Sequence, residues 1–239
     1  MAKLRIATYN IHKCVGLDRR YSPERIADVL REIDADVIGL QEVLCHRNGI
    51  RREHQAEFLA DELAMNFCLG ENRKHNGGDY GNAILSLLPI ANFENYDISV
   101  AKYESRGCVR AEIKIGEESI HFINLHMGTS FFERRNQVHR LLAEHAIDDP
   151  AIIGRRIIAG DFNEWTSGVT TRMFKSRFHS IDPKLHLGKA RTFPGILPLL
   201  HLDHVYFDDA FRLVSALLHR SRTSLIASDH LPVVAEFEY

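Results

Sequence analysis

The chain is punctuated by short apolar runs that are too brief for helices and are bounded by polar or turn-forming residues. They cover residues 4–9, 36–40, 82–86, 109–115, 119–125, 156–159, 204–207 and 232–237. Their length and β-branched content predict strands. Helical patterns lie between them. Ser22 stands as an N-cap before Pro23, and Ile26, Val29, Leu30 and Ile33 then share one face, predicting a helix over 23–33. Two more are predicted over 54–63 and 133–147, the latter with Val138, Leu141, Leu142 and His145 on one face. Helices and strands alternate early and strands crowd together later, which predicts a mixed α/β fold with at least one large sheet.

The residues at which the apolar runs stop are chemically uniform. Tyr9-Asn10 closes the first, Gln41-Glu42 the second, Asn124-Leu125-His126 the fifth and Asp161-Phe162-Asn163 the sixth, while Ser228-Asp229-His230 precedes the last. Side chains two apart on a strand point the same way, so Asn124 with His126, and Asp161 with Asn163, can each present a pair of polar groups to one place. A chain leaving a sheet for a loop needs polar residues, which accounts for any single pair. Five ends that all carry Asn, Asp, Glu or His point instead to a shared site.

Composition removes several classes. A formal charge of −2 over 239 residues gives no broad cationic field for long nucleic acid, although Arg51, Arg52, Arg134, Arg135, Arg155 and Arg156 could cluster locally. The cysteines, Cys14, Cys45, Cys68 and Cys108, form no C-x-x-C pair, so neither a zinc knuckle nor a redox motif is indicated. No apolar segment is long enough to cross a bilayer, and the N-terminus lacks a secretory core, so the expected location is cytoplasmic. No linker or repeat interrupts the pattern, and one domain over 1–239 is expected. Nothing in the sequence signals a protein partner.

Taken in order, Thr8-Tyr9-Asn10-Ile11-His12, Leu40-Gln41-Glu42-Val43, Tyr80-Gly81-Asn82-Ala83-Ile84-Leu85-Ser86, Asn124-Leu125-His126, Gly160-Asp161-Phe162-Asn163, Leu202-Asp203-His204 and Ser228-Asp229-His230-Leu231-Pro232 resemble the endonuclease/exonuclease/phosphatase superfamily, typified by pancreatic deoxyribonuclease. The resemblance spans residues 8–232. It implies a four-layer α/β/β/α sandwich of two mostly antiparallel sheets flanked by helices, with the site where strand ends converge. It also implies a magnesium-dependent hydrolase of phosphate esters using one or two ions, with manganese as a substitute. The residues agree independently: magnesium takes hard oxygen donors and keeps several waters, and cysteine is absent from every motif.

By the same resemblance Glu42 is the principal metal ligand, with Asn10 beside it and Asp229 as a further candidate. His230 is the base or phosphate contact and Asp203 its carboxylate partner. Asp161 and Asn163 position the attacking water or a second ion, and the choice of base between His230 and Asp161 stays open. His126 donates to a phosphate oxygen or protonates the leaving group, Asn124 offers an uncharged donor, Asn82 helps to hold the site, and Arg106 or Arg110 can meet phosphate. His12 comes directly after the first motif and is a candidate neighbour of the site.

Two departures stand out. Leu87 replaces the basic residue that relatives often carry, which questions one phosphate-side contact, and His204 follows Asp203 where an aromatic or arginine is common. The substrate is expected to be a small or lipid-linked phosphodiester, because a compact, near-neutral chain has little room for loops that clamp a duplex. The segment 192–200 can supply an apolar wall. The alternatives are an endonuclease or exonuclease acting on DNA or RNA, and an inactive interaction module. The latter would be expected to lack one of Glu42, Asp161, Asn163, Asp203 and His230, all of which are present.

Overall fold

Period-two alternation along the first strand, β1 (Lys3–Asn10), already divides the molecule into layers. Leu4 and Ile6 enter a core with Phe122, Ile157 and Phe237, whereas Ala7 and Tyr9 enter a different one with Val29, Leu30 and Leu59. The computed structural model describes residues 2–143, 146–147, 149, 152, 155–165, 168–181, 186, 191–195 and 199–239.

Two six-stranded sheets face each other. The first contains β1, β2 (Val37–Cys45), β3 (Asn66–His75), β4 (Gly78–Ser86), β11 (Arg212–Leu218) and β12 (Val233–Glu238), in the order β11-β12-β1-β2-β4-β3. The second contains β5 (Ile90–Asp97), β6 (Gly107–Ile115), β7 (Glu118–His126), β8 (Arg155–Asp161), β9 (His179–Ser180) and β10 (Asp203–Phe207), in the order β5-β6-β7-β8-β10-β9. Each sheet has one parallel pair, β1 with β2 and β7 with β8, and is otherwise antiparallel.

Helices cover the outer faces. α1 (Pro23–Ile33) and α2 (Gln55–Leu63) pack on the first sheet through Ile26, Leu30 and Leu59. α3 (Phe131–Ala143) and α4 (Val169–Lys175) pack on the second through Val138, Leu141 and Phe174. The three apolar clusters are thus the three interfaces of the expected four-layer sandwich. Capping fixes the helix starts: the Ser22 hydroxyl accepts the Arg25 N–H and His54 Nδ1 accepts the Glu57 N–H.

The structure corrects several expectations. All eight predicted strands are present, but β3, β5, β9 and β11 stand beyond them, and these four are the four sheet edges. An edge strand has one side open to solvent and less need of a continuous apolar run; β5 is exposed along almost its whole length. α4 is likewise absent from the predicted helices, because Val169, Thr170 and Thr171 are weak helix formers. Its first turn is held instead by the Glu164 carboxylate, which accepts from the Thr171 N–H and hydroxyl. The third predicted helix ends earlier than residue 147. α3 is described over Phe131–Ala143, Ala146 and Ile147 form a turn, and His145 lies outside the described residues.

Candidate active site

Strand register assembles the polar ends. The parallel β7–β8 ladder sets His126 beside Asp161, and the antiparallel β8–β10 ladder sets Asp203 on the other side of Asp161. In the facing sheet, Asn10 pairs with Gln41 at the ends of β1 and β2. The chain entering β12 returns across the same end, where the Ser228 hydroxyl donates to the Asn10 carbonyl at 2.7 Å and leaves His230 pointing inward.

Beneath these groups, a buried polar layer ties the sheets together. Gln41 Nε2 donates to Thr8 Oγ1 at 3.0 Å and to Asn124 Oδ1 at 2.6 Å. Asn124 Nδ2 donates to the carbonyls of Leu40 and Ala83. Both amide donors of Asn124 are therefore spent inside the fold and the side chain is fully buried, so it clamps the sheets and has none left for a phosphate. Asn82 plays a similar part, donating to the Gly107 carbonyl at 2.8 Å next to Arg106.

A β-bulge aims Glu42. Leu40 pairs with Ala83 and Val43 with Gly81, so Gln41 and Glu42 together oppose Asn82 alone, and Glu42 takes a left-handed φ of 58°. Without the extra residue, strict alternation would send Glu42 into the helix-side core occupied by Leu40 and Val43. Its carboxylate instead accepts from Asn10 Nδ2 at 3.3 Å and Lys13 Nζ at 2.7 Å. His12, Lys13, Cys14 and Asn163 also have left-handed φ values. Such conformations cost about 1–3 kcal/mol each and persist where the surroundings over-determine them.

Asp161 Oδ2 is the hub. It lies 3.1 Å from Asn10 Nδ2, 3.5 Å from His126 Nε2 and 3.6 Å from His230 Nε2, while Asp161 Oδ1 accepts the Asn163 N–H at 2.9 Å. Asn163 Nδ2 sits 3.1 Å from His126 Nε2 and donates to the Met127 carbonyl at 2.9 Å. Gly160 makes the approach feasible: its φ is 151°, and a Cβ there would come within 2.0 Å of the Leu125 carbonyl oxygen.

The two histidines are pushed in opposite directions. Burial would lower His230, but Asp203, 2.9 Å from Nδ1, and Asp161 outweigh it and raise the ring to about 10, so it is cationic at neutral pH. His126 is lowered to about 4 by burial and by Arg106, whose Nη1 lies 3.2 Å from Nδ1. It is neutral, with an N–H donor beside each ring nitrogen, Arg106 Nη1 at Nδ1 and Asn163 Nδ2 at Nε2, while Nε2 also faces Asp161. Burial alone would raise the Glu42 carboxyl, yet it lies far below the usual range through His126 and Lys13. Because His126 is neutral near pH 7, Lys13 is the charge that acts there.

Oxygen and nitrogen atoms of Asp161, Asp203 and His230 lie within 4.8 Å of one another and can hold a metal ion, the one such group among the described residues. Asp203 is fully buried and its Oδ1 has no hydrogen-bond partner. Glu42 already holds a cation in the form of Lys13. Hard oxygen donors dominate both places and cysteine is absent from them, so the donor set fits magnesium or manganese. Asn10 presents its amide nitrogen to both carboxylates, and its oxygen accepts the His12 N–H. Asp229 stands at the margin, 3.8 Å from His12 Nδ1, and reaches His230 through its charge alone.

The structure thus gathers Asn10, Glu42, Arg106, His126, Asp161, Asn163, Asp203 and His230 at one end of the sandwich. Arg110 is not among them, lying instead over the Tyr96 ring beside Glu94. Leu87 is also remote: its N–H binds the Asp36 carbonyl at the opposite end of β2, so a basic residue there would touch no site phosphate. His204 turns outward against Phe162 and Tyr206, away from the Asp203 carboxylate. Five of the six arginines considered as a cluster are separately matched to acids: Arg51 to Asp61, Arg52 to Glu24, Arg134 to Glu164, Arg155 to Glu118 and Arg156 to Asp208. Sequence reasoning missed Lys13, since nothing in its spacing announces a left-handed turn. Of the segment expected to supply an apolar wall, Phe193 packs its ring 5.0 Å from that of His230, while residues 196–198 lie outside the described residues.

A carboxylate hub between a cationic and a neutral histidine, with an arginine and two asparagines around it, belongs to the class of phosphate-ester hydrolases. The chain is a member of the endonuclease/exonuclease/phosphatase family, whose model matches residues 7–230. It is 33% identical over 244 residues to the uncharacterized protein YbhP of Escherichia coli strain K12, covering 97% of this chain and 95% of that one. Its fold is similar to a mannosyl-6-phosphatase of Bacteroides thetaiotaomicron (TM-score 0.77, 19% identity, 99% of this chain and 100% of that one). It is similar also to the human Nocturnin catalytic domain with bound sulfate (TM-score 0.77, 20% identity, 99% and 94%). Among the described residues, no helix is long and apolar enough to cross a membrane.

Proposed function

We propose that the chain is a magnesium-dependent phosphodiesterase acting on a small or lipid-linked phosphodiester. The observation that carries the reaction is the Asp161 hub, with His126, His230 and Asn10 all within 3.6 Å of one oxygen. Glu42 and Asn10 would hold the metal, with Asp229 at the margin, while Asp203 serves as the carboxylate partner of His230. Bound there, a divalent ion supplies Lewis-acid neutralisation of phosphate charge and lowers the pKa of water.

The chain's own residues divide the remaining work. Asp161, the carboxylate at the centre, accepts the proton of the attacking water, and Asn163 orients that water. His230, kept cationic and aligned by Asp203, neutralises a phosphoryl oxygen. Neutral His126 serves as hydrogen-bond donor to a phosphate oxygen or protonates the leaving group. Arg106, buried and 2.9 Å from Glu104, borders His126 Nδ1 and adds positive charge at the phosphate.

The substrate class rests on the rim. Three chain segments that carry Arg106, His126 and Asn163 also carry Tyr103, Phe131 with Phe132 at the start of α3, and Trp165, four of the five most exposed aromatics among the described residues. The segments touch: Ser130 Oγ reaches the Tyr103 hydroxyl and the Arg134 guanidinium lies 5.9 Å from the Trp165 ring. Exposed aromatics beside a phosphate site suit the apolar part of a lipid-linked substrate. A formal charge of −2 gives no broad cationic field for a polynucleotide backbone. The test compares bis-p-nitrophenyl phosphate, p-nitrophenyl phosphate, plasmid DNA and vesicles of phospholipid head-group diesters, with magnesium. Preference for the diesters over the monoester and DNA supports the reading; DNA as the best substrate overturns it.

A further inference from the structure

The turn after Asn10 is built to deliver one ammonium. His12, Lys13 and Cys14 are three consecutive non-glycine residues with left-handed φ values of 45°, 57° and 57°. Asn10 Oδ1 accepts the His12 N–H, and the Ile11 and His12 carbonyls accept from Cys14 and Val15. Gln55, buried at the start of α2, completes the clamp: its Nε2 donates to the Lys13 carbonyl at 2.8 Å and its Oε1 accepts the Leu44 N–H at 2.8 Å. That side chain therefore locks the Lys13 turn to the strand that carries Glu42.

The product of this arrangement is a Lys13 Nζ 2.7 Å from Glu42 Oε2, with about a quarter of the Lys13 side chain exposed. The ammonium also lies 6.0 Å from the centre of the Tyr80 ring. A surface lysine needs neither a strained turn nor a buried glutamine to form an ion pair. Here both converge on the carboxylate that the reading above assigns to the metal ion.

We propose that Lys13 is the resident counter-cation of Glu42, a positioning residue that a divalent ion must displace, and that it thereby sets the affinity of the metal site. The inference rests on the metal-dependent reading above. Lys13 neutralises Glu42 in the metal-free protein and lessens the repulsion between its carboxylate and Asp161. It also makes metal binding an exchange of cations, so the site fills only at adequate divalent concentration. Loss of the ammonium removes both the competing ion pair and a like charge facing the incoming ion, and both changes act in the same direction.

The test is Mn2+ binding to the purified full chain, measured by calorimetry and by the electron paramagnetic resonance signal of free Mn2+. Lys13→Met is expected to bind Mn2+ about three- to tenfold more tightly, the range for one partly buried ion pair given up. Lys13→Arg keeps the charge and should stay within about twofold of wild type. The metal-free Lys13→Met protein should melt lower and recover most of that loss in saturating Mn2+. If Lys13→Met does not fold, Lys13→Gln takes the same measurement. Unchanged or weaker Mn2+ binding in a folded, charge-free variant overturns the proposal. No Mn2+ binding by wild type would instead remove the metal-dependent reading, and this inference with it.

Discussion

Asp203→Asn removes one negative charge from the most buried ion pair of the site and leaves its shape nearly unchanged. His230 stands at about 10 against 6.5 for the free side chain, and at 1.36 kcal/mol per pH unit that rise is worth roughly 5 kcal/mol. Two carboxylates contribute most: Asp203, bonded at 2.9 Å, and Asp161, at 3.6 Å. The closer partner carries the larger share, so His230 in the metal-free variant should titrate about 2 pH units or more lower. A raised folded-state pKa stabilises fully below the unfolded value and is lost as pH climbs through the folded one. Metal-free wild type should therefore lose stability between about pH 6.5 and pH 10, and Asp203→Asn should flatten that slope while being less stable at pH 6. Turnover should fall about 10²- to 10⁴-fold, as when a catalytic histidine loses its orienting carboxylate, with little change in magnesium affinity. The assay pairs a proton NMR titration of His230 with thermal unfolding at pH 6 and pH 9. A His230 titration still near 10 refutes the electrostatic argument, and a large loss of magnesium binding makes Asp203 a ligand instead.

The same geometry has other measurable consequences. Gly160→Ala places a Cβ against the Leu125 carbonyl oxygen, 2.0 Å away, so urea unfolding should show a loss of about 3 kcal/mol or more. Asn124→Leu strips the clamp between the sheets, removing the acceptor of one Gln41 hydrogen bond and the donor to the Leu40 and Ala83 carbonyls, costing about 2–5 kcal/mol by the same measurement. Replacing Phe131, Phe132 and Trp165 together with serine should cut hydrolysis of a vesicle-borne diester about tenfold or more and leave bis-p-nitrophenyl phosphate within about twofold. An equal loss on both substrates would place the aromatics in the chemistry rather than at the lipid.

The central strands and the residues at their ends are legible in the sequence because burial on both faces writes a continuous apolar run, and the switch to Asn, Asp, Glu or His marks where it ends. The four edge strands are illegible for the converse reason, as β5 shows with its almost continuous exposure. Motif order identifies Asn10, Glu42, His126, Asp161, Asn163, Asp203 and His230 as candidates, and register brings them together. It cannot separate Asn163, which borders the hub, from Asn124, whose donors are consumed beneath it, since that distinction is set by tertiary hydrogen bonds. Leu87 illustrates the same limit: two strand ends look alike in sequence, and only the pairing of β2 with β4 shows which one faces the site. Lys13 is invisible in the sequence because its role depends on three left-handed residues and a glutamine from another helix.

The most direct measurement is hydrolysis of bis-p-nitrophenyl phosphate as a function of magnesium concentration, by wild type, Glu42→Ala and His230→Ala. We expect saturable activation by magnesium, abolition by EDTA and a loss of about 10³-fold or more in each variant at preserved folding. Rates that are indifferent to magnesium, or equal in all three proteins, would contradict the account.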